Sequence, residues 1–243
     1  MMKRGARVFF SFRSPYTWLA VRKLAQAIPN LHRTVEFIPY WDPDERTSAA
    51  LRERGAEFHY VQMSKAKHMY LLHDTKRLTR QLGIPMAWPI DVNPWWEVPH
   101  LAWLAARRRG LGAEFFDAVM AARWERGENI CDSTVIRGLA ESVGAPPDVL
   151  AGATEDARIR AEGVDCLVEA YLDDIFGIPY FRIGRHRLWG LDRVDAFIEL
   201  LAAQAESPPV QVDLPPTPDD SPLTRHTSLV PFAYDRDTAG GCG

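Results

Sequence analysis

The 243-residue chain is 47% hydrophobic and 25% charged, ordinary proportions for a protein that folds around a real core. Its net charge of -3 gives no hint of nucleic-acid or membrane binding, since a polyanion binder needs a basic face. No stretch approaches the roughly 20 apolar residues that span a bilayer, and the apolar run in the opening "MMKRGARVFFSF" is too short for a secretory signal. The expectation is a cytoplasmic protein with no nucleic-acid or membrane partner. Cys131, Cys166 and Cys242 are odd in number and far apart, without a C-x-x-C, which argues against a disulfide framework and a zinc site; no metal is expected.

Residues 7–12 read as a short buried strand. "PYTWLAVRKLAQAI" (15–28) has helical spacing of apolar positions, and "TVEFIPY" (34–40) alternates like a second strand. This is β-α-β within forty residues, the opening of an α/β fold. Helices are then predicted over 43–55, 64–82, 97–109, 112–126, 132–142 and 155–174, with Gly- and Pro-rich breaks at 83–94 and 125–133. "YFRI" (180–183) and "GRHRLWG" (184–190) read as a hairpin, and 191–205 as a closing helix. Strands therefore occur only at the two ends, and the simplest assembly is one sheet interrupted by helices. The segment 207–243 carries seven prolines and no periodicity, and is expected to be an extended tail.

In "FFSFRSPYTWLA" (9–20), Ser14 is placed at the N-cap and Pro15 at the first position of the helix. A cap explains the serine fully. A second reading starts from the position itself. A helix N-terminus after the first strand concentrates amide donors and favours a thiolate, and redox proteins of the thioredoxin type keep C-x-x-C there. Here Ser14, Pro15, Tyr16 and Thr17 hold those positions, so no disulfide cycles, but a hydroxyl is available for another molecule's thiolate.

The stretch resembles the opening of the 2-hydroxychromene-2-carboxylate isomerases and the related kappa-class glutathione transferases. Four more stretches are similar in order: "KAKHMYLLHDTKRLTRQLGIPMAWP" (65–89), "WERGENICDSTVIRGLAESVG" (124–144), "FGIPYF" (176–181) and "LWGLDRVDAFIELL" (188–201). The resemblance implies an α/β fold. A thioredoxin-like domain, from 1–40 and 155–206, is interrupted by an all-helical insertion, 41–154, and followed by the tail 207–243. It implies a cis bond before Pro179. It also implies an isomerase of a conjugated double bond in a small aromatic or polyene-type substrate. The chemistry is thiol-assisted or acid/base, and glutathione or another small thiol is the possible cofactor. A kappa-type transferase and a non-catalytic binding protein are the alternatives. The expected assembly is a homodimer.

Residue by residue, the resemblance gives Ser14 the thiol-activating role. Ile178 and Pro179 take the strand-like pairing with the tripeptide, and Asp192 takes its amino end. Lys65 and Lys67 sit near its expected carboxylates, or form a solvated helix face. The chain departs from the family pattern at Ser11, Tyr180 and Leu191, and 54–65 lacks the family's Gly-Asn segment. On the substrate side, Trp88, Trp95, Trp96 and Trp103 line a slot for a flat molecule or form the insertion's core. Glu97 and His100 share a helix face, as a proton-shuttling pair or as structural residues. Cys131 and Cys166 offer an internal thiol or are inert.

Overall fold

The computed structural model describes residues 5–59 and 63–206. The tail 207–243, with Cys242, lies outside the described residues. The strands are β1 (Arg7–Phe10), β2 (Glu36–Pro39), β3 (Tyr180–Ile183) and β4 (His186–Trp189). They form one sheet in the order β2-β1-β3-β4, with β1 and β2 parallel and the other pairs antiparallel. Both ends of the chain thus meet in one sheet. Gly184, at φ 56°, turns the two-residue loop between β3 and β4.

The helices are α1 (Pro15–Ala27), α2 (Leu31–Thr34), α3 (Glu45–Glu53), α4 (Lys65–Leu82), α5 (Glu97–Arg107), α6 (Gly112–Trp124), α7 (Ser133–Ser142), α8 (Pro147–Ala151), α9 (Ala157–Leu172) and α10 (Val194–Glu206). A 3-10 turn, Leu191–Arg193, leads into α10. The one-turn helices α2 and α8 were not expected, because four or five residues carry too little periodicity to read. Helix starts follow capping chemistry: Ser14, Asp44, Ser64, Asp132 and Asp156 each accept a first-turn amide on the side chain.

Strand alternation assigns the two sheet faces. Val8, Phe10, Phe37 and Phe181 share one. Phe10 meets Phe116 of α6 and Trp103 of α5 edge-on, each at 5.0 Å, and Phe181 stacks on Phe197 of α10 at 5.0 Å. Each such buried ring contributes about 1.5–3 kcal/mol. Arg7 and Arg182 pair across β1 and β3 on the other face, under α9. Arg7 bonds Glu169 at 2.6 Å and also Asp173, and Arg182 lies 3.4 Å from Asp173. Removing Asp173 would leave Arg7 with Glu169 alone and Arg182 with no carboxylate partner among the described residues, an excess of guanidinium charge at a largely buried site. The sheet and the helices of 41–154 share one continuous apolar core, so the insertion is packed into the sheet domain.

Candidate active site

The C-terminal end of β1 releases the chain into the turn 11–14. Ser14 N–H donates to Ser11 O at 3.1 Å, and Thr17 N–H donates to Ser14 Oγ at 3.2 Å. Ser14 is therefore the N-cap of α1, with Pro15 at the first helical position. The half-buried hydroxyl accepts one bond, and its proton has no acceptor among the described residues.

Opposite lies the loop before β3. Extending the antiparallel register two residues beyond Phe9↔Tyr180 sets Ile178 against Ser11. The Ile178–Pro179 bond is cis. Pro179 O accepts Gly190 N–H at 3.0 Å, whereas the N–H and C=O of Ile178 have no partner among the described residues. Two motif glycines have a steric reason. A Cβ on Gly177 would stand 2.6 Å from Trp189 Nε1, and one on Gly190, already at φ 103°, would stand 2.7 Å from Asp192 Oδ1. Asp192 is exposed, its Oδ2 3.3 Å from Arg193.

Lys65 and Lys67 occupy the exposed first turn of α4, where Ser64 Oγ accepts Lys67 N–H at 3.2 Å. Neither has a carboxylate partner among the described residues. Helix α4 is tied to α1 by Tyr16, whose O–H donates to Asp74 Oδ2 at 2.7 Å, and Asp74 also holds Arg77. Burial and the Asp74 bond both push the Tyr16 phenol above its ordinary range.

Glu97 and His100 are a correction. Both are fully buried, and no bond joins them. His100 Nε2 lies 3.2 Å from Phe12 N and 3.2 Å from Ser11 Oγ, while Nδ1 lies 2.6 Å from Trp96 O. The Phe12 amide can only donate, so Nε2 is the acceptor and Nδ1 carries the hydrogen. Burial lowers the imidazole to about 3, and the Trp96 carbonyl only partly offsets this. A ring that stays neutral above that pH shuttles no proton near neutrality. Glu97 Oε1 accepts Asp44 N–H at 2.7 Å, and burial raises its carboxyl above the usual range. The internal-thiol reading fails in the same way: burial pushes Cys131 and Cys166 each up to about 12, so neither is a ready thiolate.

The tryptophans divide. Trp96 and Trp103 are core. Trp95 is 40% exposed, its Nε1–H donating to Asp44 Oδ2 at 3.2 Å. Trp88 is half-buried and meets Trp124 edge-on at 5.7 Å; Trp124 Nε1–H in turn donates to Phe12 O at 3.1 Å. Trp88 therefore stands one ring away from the Ser14 turn. Two cavities, of about 660 and 330 Å³, open elsewhere, under the starts of β1 and β2 and between α1 and α6. Sequence reasoning missed the involvement of Phe12, Ser11 and Trp124. The order of the motifs carries no signal for it.

The DSBA-like thioredoxin domain matches residues 7–202. This chain belongs to the DSBA-like thioredoxin family. A 2-hydroxychromene-2-carboxylate isomerase of Sphingobium xenophagum is 27% identical over 200 residues, 82% of this chain and 97% of that protein. A solved 2-hydroxychromene-2-carboxylate isomerase structure superposes with a TM-score of 0.64 at 20% identity, covering 83% of this chain and 96% of that one. A probable DsbA oxidoreductase from Streptomyces coelicolor gives 0.62 at 16% identity, covering 85% and 92%. This DSBA-like chain is thus 2-hydroxychromene-2-carboxylate isomerase-like in sequence and in fold. None of its described helices is long and apolar enough to cross a membrane.

Proposed function

We propose that this chain is an isomerase that rearranges a conjugated double bond between cis and trans in a small aromatic or polyene-type substrate. The observation that carries the reading is the Ser14 hydroxyl, held at the α1 N-cap with no acceptor for its proton among the described residues, in the turn whose Ser11 the β1–β3 register sets against Ile178. The curated relative's name supports the reaction class.

The residues present fit a small thiol, glutathione or another. Ile178 offers an N–H and C=O without a partner among the described residues for strand-like pairing. Asp192 is exposed for an ammonium group, and Lys65 and Lys67 are exposed cations without a carboxylate partner among the described residues, open to a ligand's carboxylates. When bound, the thiol would supply a sulfur nucleophile. The chain's own part is to hold negative charge at the α1 N-terminus, with the Ser14 O–H as donor and the helix dipole behind it. Trp88, one ring removed from that turn across Trp124, offers a half-buried aromatic face for a flat substrate. A cytoplasmic location and a homodimeric state belong to the same reading.

The test is product analysis by chromatography. A conjugated cis-configured aromatic acid is incubated with the protein, with and without reduced glutathione. The expected result is conversion to the other isomer with the thiol recovered and with Ser14→Ala strongly impaired. A stable thioether would replace this reading by a kappa-type transferase. Binding without turnover would replace it by a binding protein.

A further inference from the structure

Phe12 lies between β1 and α1, in neither ladder nor helix, yet it is fully buried. A buried N–H and C=O outside regular structure need partners from elsewhere. Both come from side chains of the helical insertion. His100 Nε2, on α5, accepts Phe12 N–H at 3.2 Å, and Trp124 Nε1–H, on α6, donates to Phe12 O at 3.1 Å. We propose that the insertion aims Ser14 through this two-point clamp on the Phe12 backbone, with His100 and Trp124 as positioning residues.

Both clamp residues are themselves fixed. His100 is anchored one turn back through Nδ1–H to Trp96 O at 2.6 Å, and its ring stacks on Trp41 at 5.1 Å with 12° between planes. Burial keeps the ring neutral well below neutral pH, so the Nε2 acceptor persists. Trp124 stacks on Trp18 of α1 at 6.3 Å and lies under the Arg123 guanidinium at 4.9 Å. Ser11, next to Phe12, joins the clamp through its hydroxyl, 3.2 Å from Nε2, while its Oγ accepts Arg13 N–H at 3.2 Å. The Phe12 ring also packs against His100 at 5.1 Å and Phe116 of α6 at 5.3 Å, so hydrogen bonds fix the backbone of the turn while ring contacts hold its side chain. A shift of about 1 Å in such a turn costs on the order of a hundredfold in rate.

This inference rests on the isomerase reading for its kinetic arm only. The variants are His100→Asn, His100→Gln and Trp124→Phe. Asparagine keeps a donor for Trp96 O but loses the Nε2 acceptor. Glutamine places an amide oxygen near the Nε2 depth. Phenylalanine keeps a ring and removes the indole donor. Turnover per folded molecule is measured with the conjugated acid. Amide hydrogen exchange is followed at Phe12 and at Thr17, whose amide reports the Ser14 cap. His100→Asn and Trp124→Phe are expected to lower kcat by roughly tenfold to a hundredfold with little change in KM. Exchange at both amides should quicken by about tenfold, and His100→Gln should recover most of both losses. If His100→Asn does not fold, His100→Gln and Trp124→Phe carry the comparison, each intermediate or impaired as stated. Lowered melting temperatures with unchanged kcat and unchanged Phe12 and Thr17 exchange would overturn the clamp. If the wild type shows no turnover, the isomerase reading fails. Exchange then decides the clamp alone: quickening at both amides supports it, and unchanged protection overturns it.

Discussion

Ser14 separates capping from chemistry, because one hydroxyl is assigned to both. Thr17 N–H sits in the first turn of α1 with Ser14 Oγ as its partner, and Thr17 is fully buried. Ser14→Ala leaves that amide unsatisfied. An unmet buried amide costs about 1–3 kcal/mol. The 3.2 Å contact is longer than the usual N–H···O bond of about 2.9–3.0 Å, so the loss belongs near the lower end, about 1 kcal/mol. For a domain of this size that is a melting shift of about 2–4 °C. Ser14→Gly costs only a few tenths of a kcal/mol, since a bare backbone caps tolerably. Turnover follows a different logic. Both variants remove the same donor, so both should lose roughly a hundredfold, as when one oxyanion donor is deleted. The assay pairs a melting curve with isomer formation per folded molecule for each variant. Unchanged turnover in both would leave Ser14 a cap and refute the donor role. Turnover tracking the melting temperature would refute it equally.

Three further outcomes follow from the buried groups. Glu97, with its carboxyl raised by burial, contributes stability that is full below its unfolded value and is lost as pH rises from about 4.5. Glu97→Gln should therefore flatten the melting temperature between pH 5 and 8, and a variant that is more destabilised at pH 8 than at pH 5 would refute that sign. Tyr16→Phe removes the 2.7 Å bond to Asp74 and should cost about 1.5 kcal/mol. This appears as roughly tenfold faster amide exchange in α4 at Thr75 and Thr79, with KM for the thiol raised and kcat kept. Cys131 and Cys166, each at about 12, should resist iodoacetamide at pH 7.5, and Cys131→Ala with Cys166→Ala should keep wild-type turnover. Rapid native alkylation of either would contradict the burial argument.

Local patterns in the sequence determined much of this protein. A short apolar run located β1, alternation located β2, a hairpin pattern located β3 and β4, the spacing of apolar residues located the long helices, and Ser14-Pro15 marked the start of α1. These features depend on neighbours a few residues apart, so a linear reading reaches them. The ordered motifs carried the fold family in the same way, and Gly177 and Gly190 were already in place before their steric reason was visible. What His100 does was decided only in three dimensions. Its spacing to Glu97 suggested a pair on one helix face, yet the fold turns that face into the core and gives each residue a separate backbone partner. The reason is physical. Proton chemistry depends on solvent and on partners, and here the partner of His100 lies 88 residues away in the chain. The Phe12–Trp124 bond spans 112 residues. No period or motif encodes contacts at such separations; they exist only once the core around Phe10, Trp103 and Phe116 has closed.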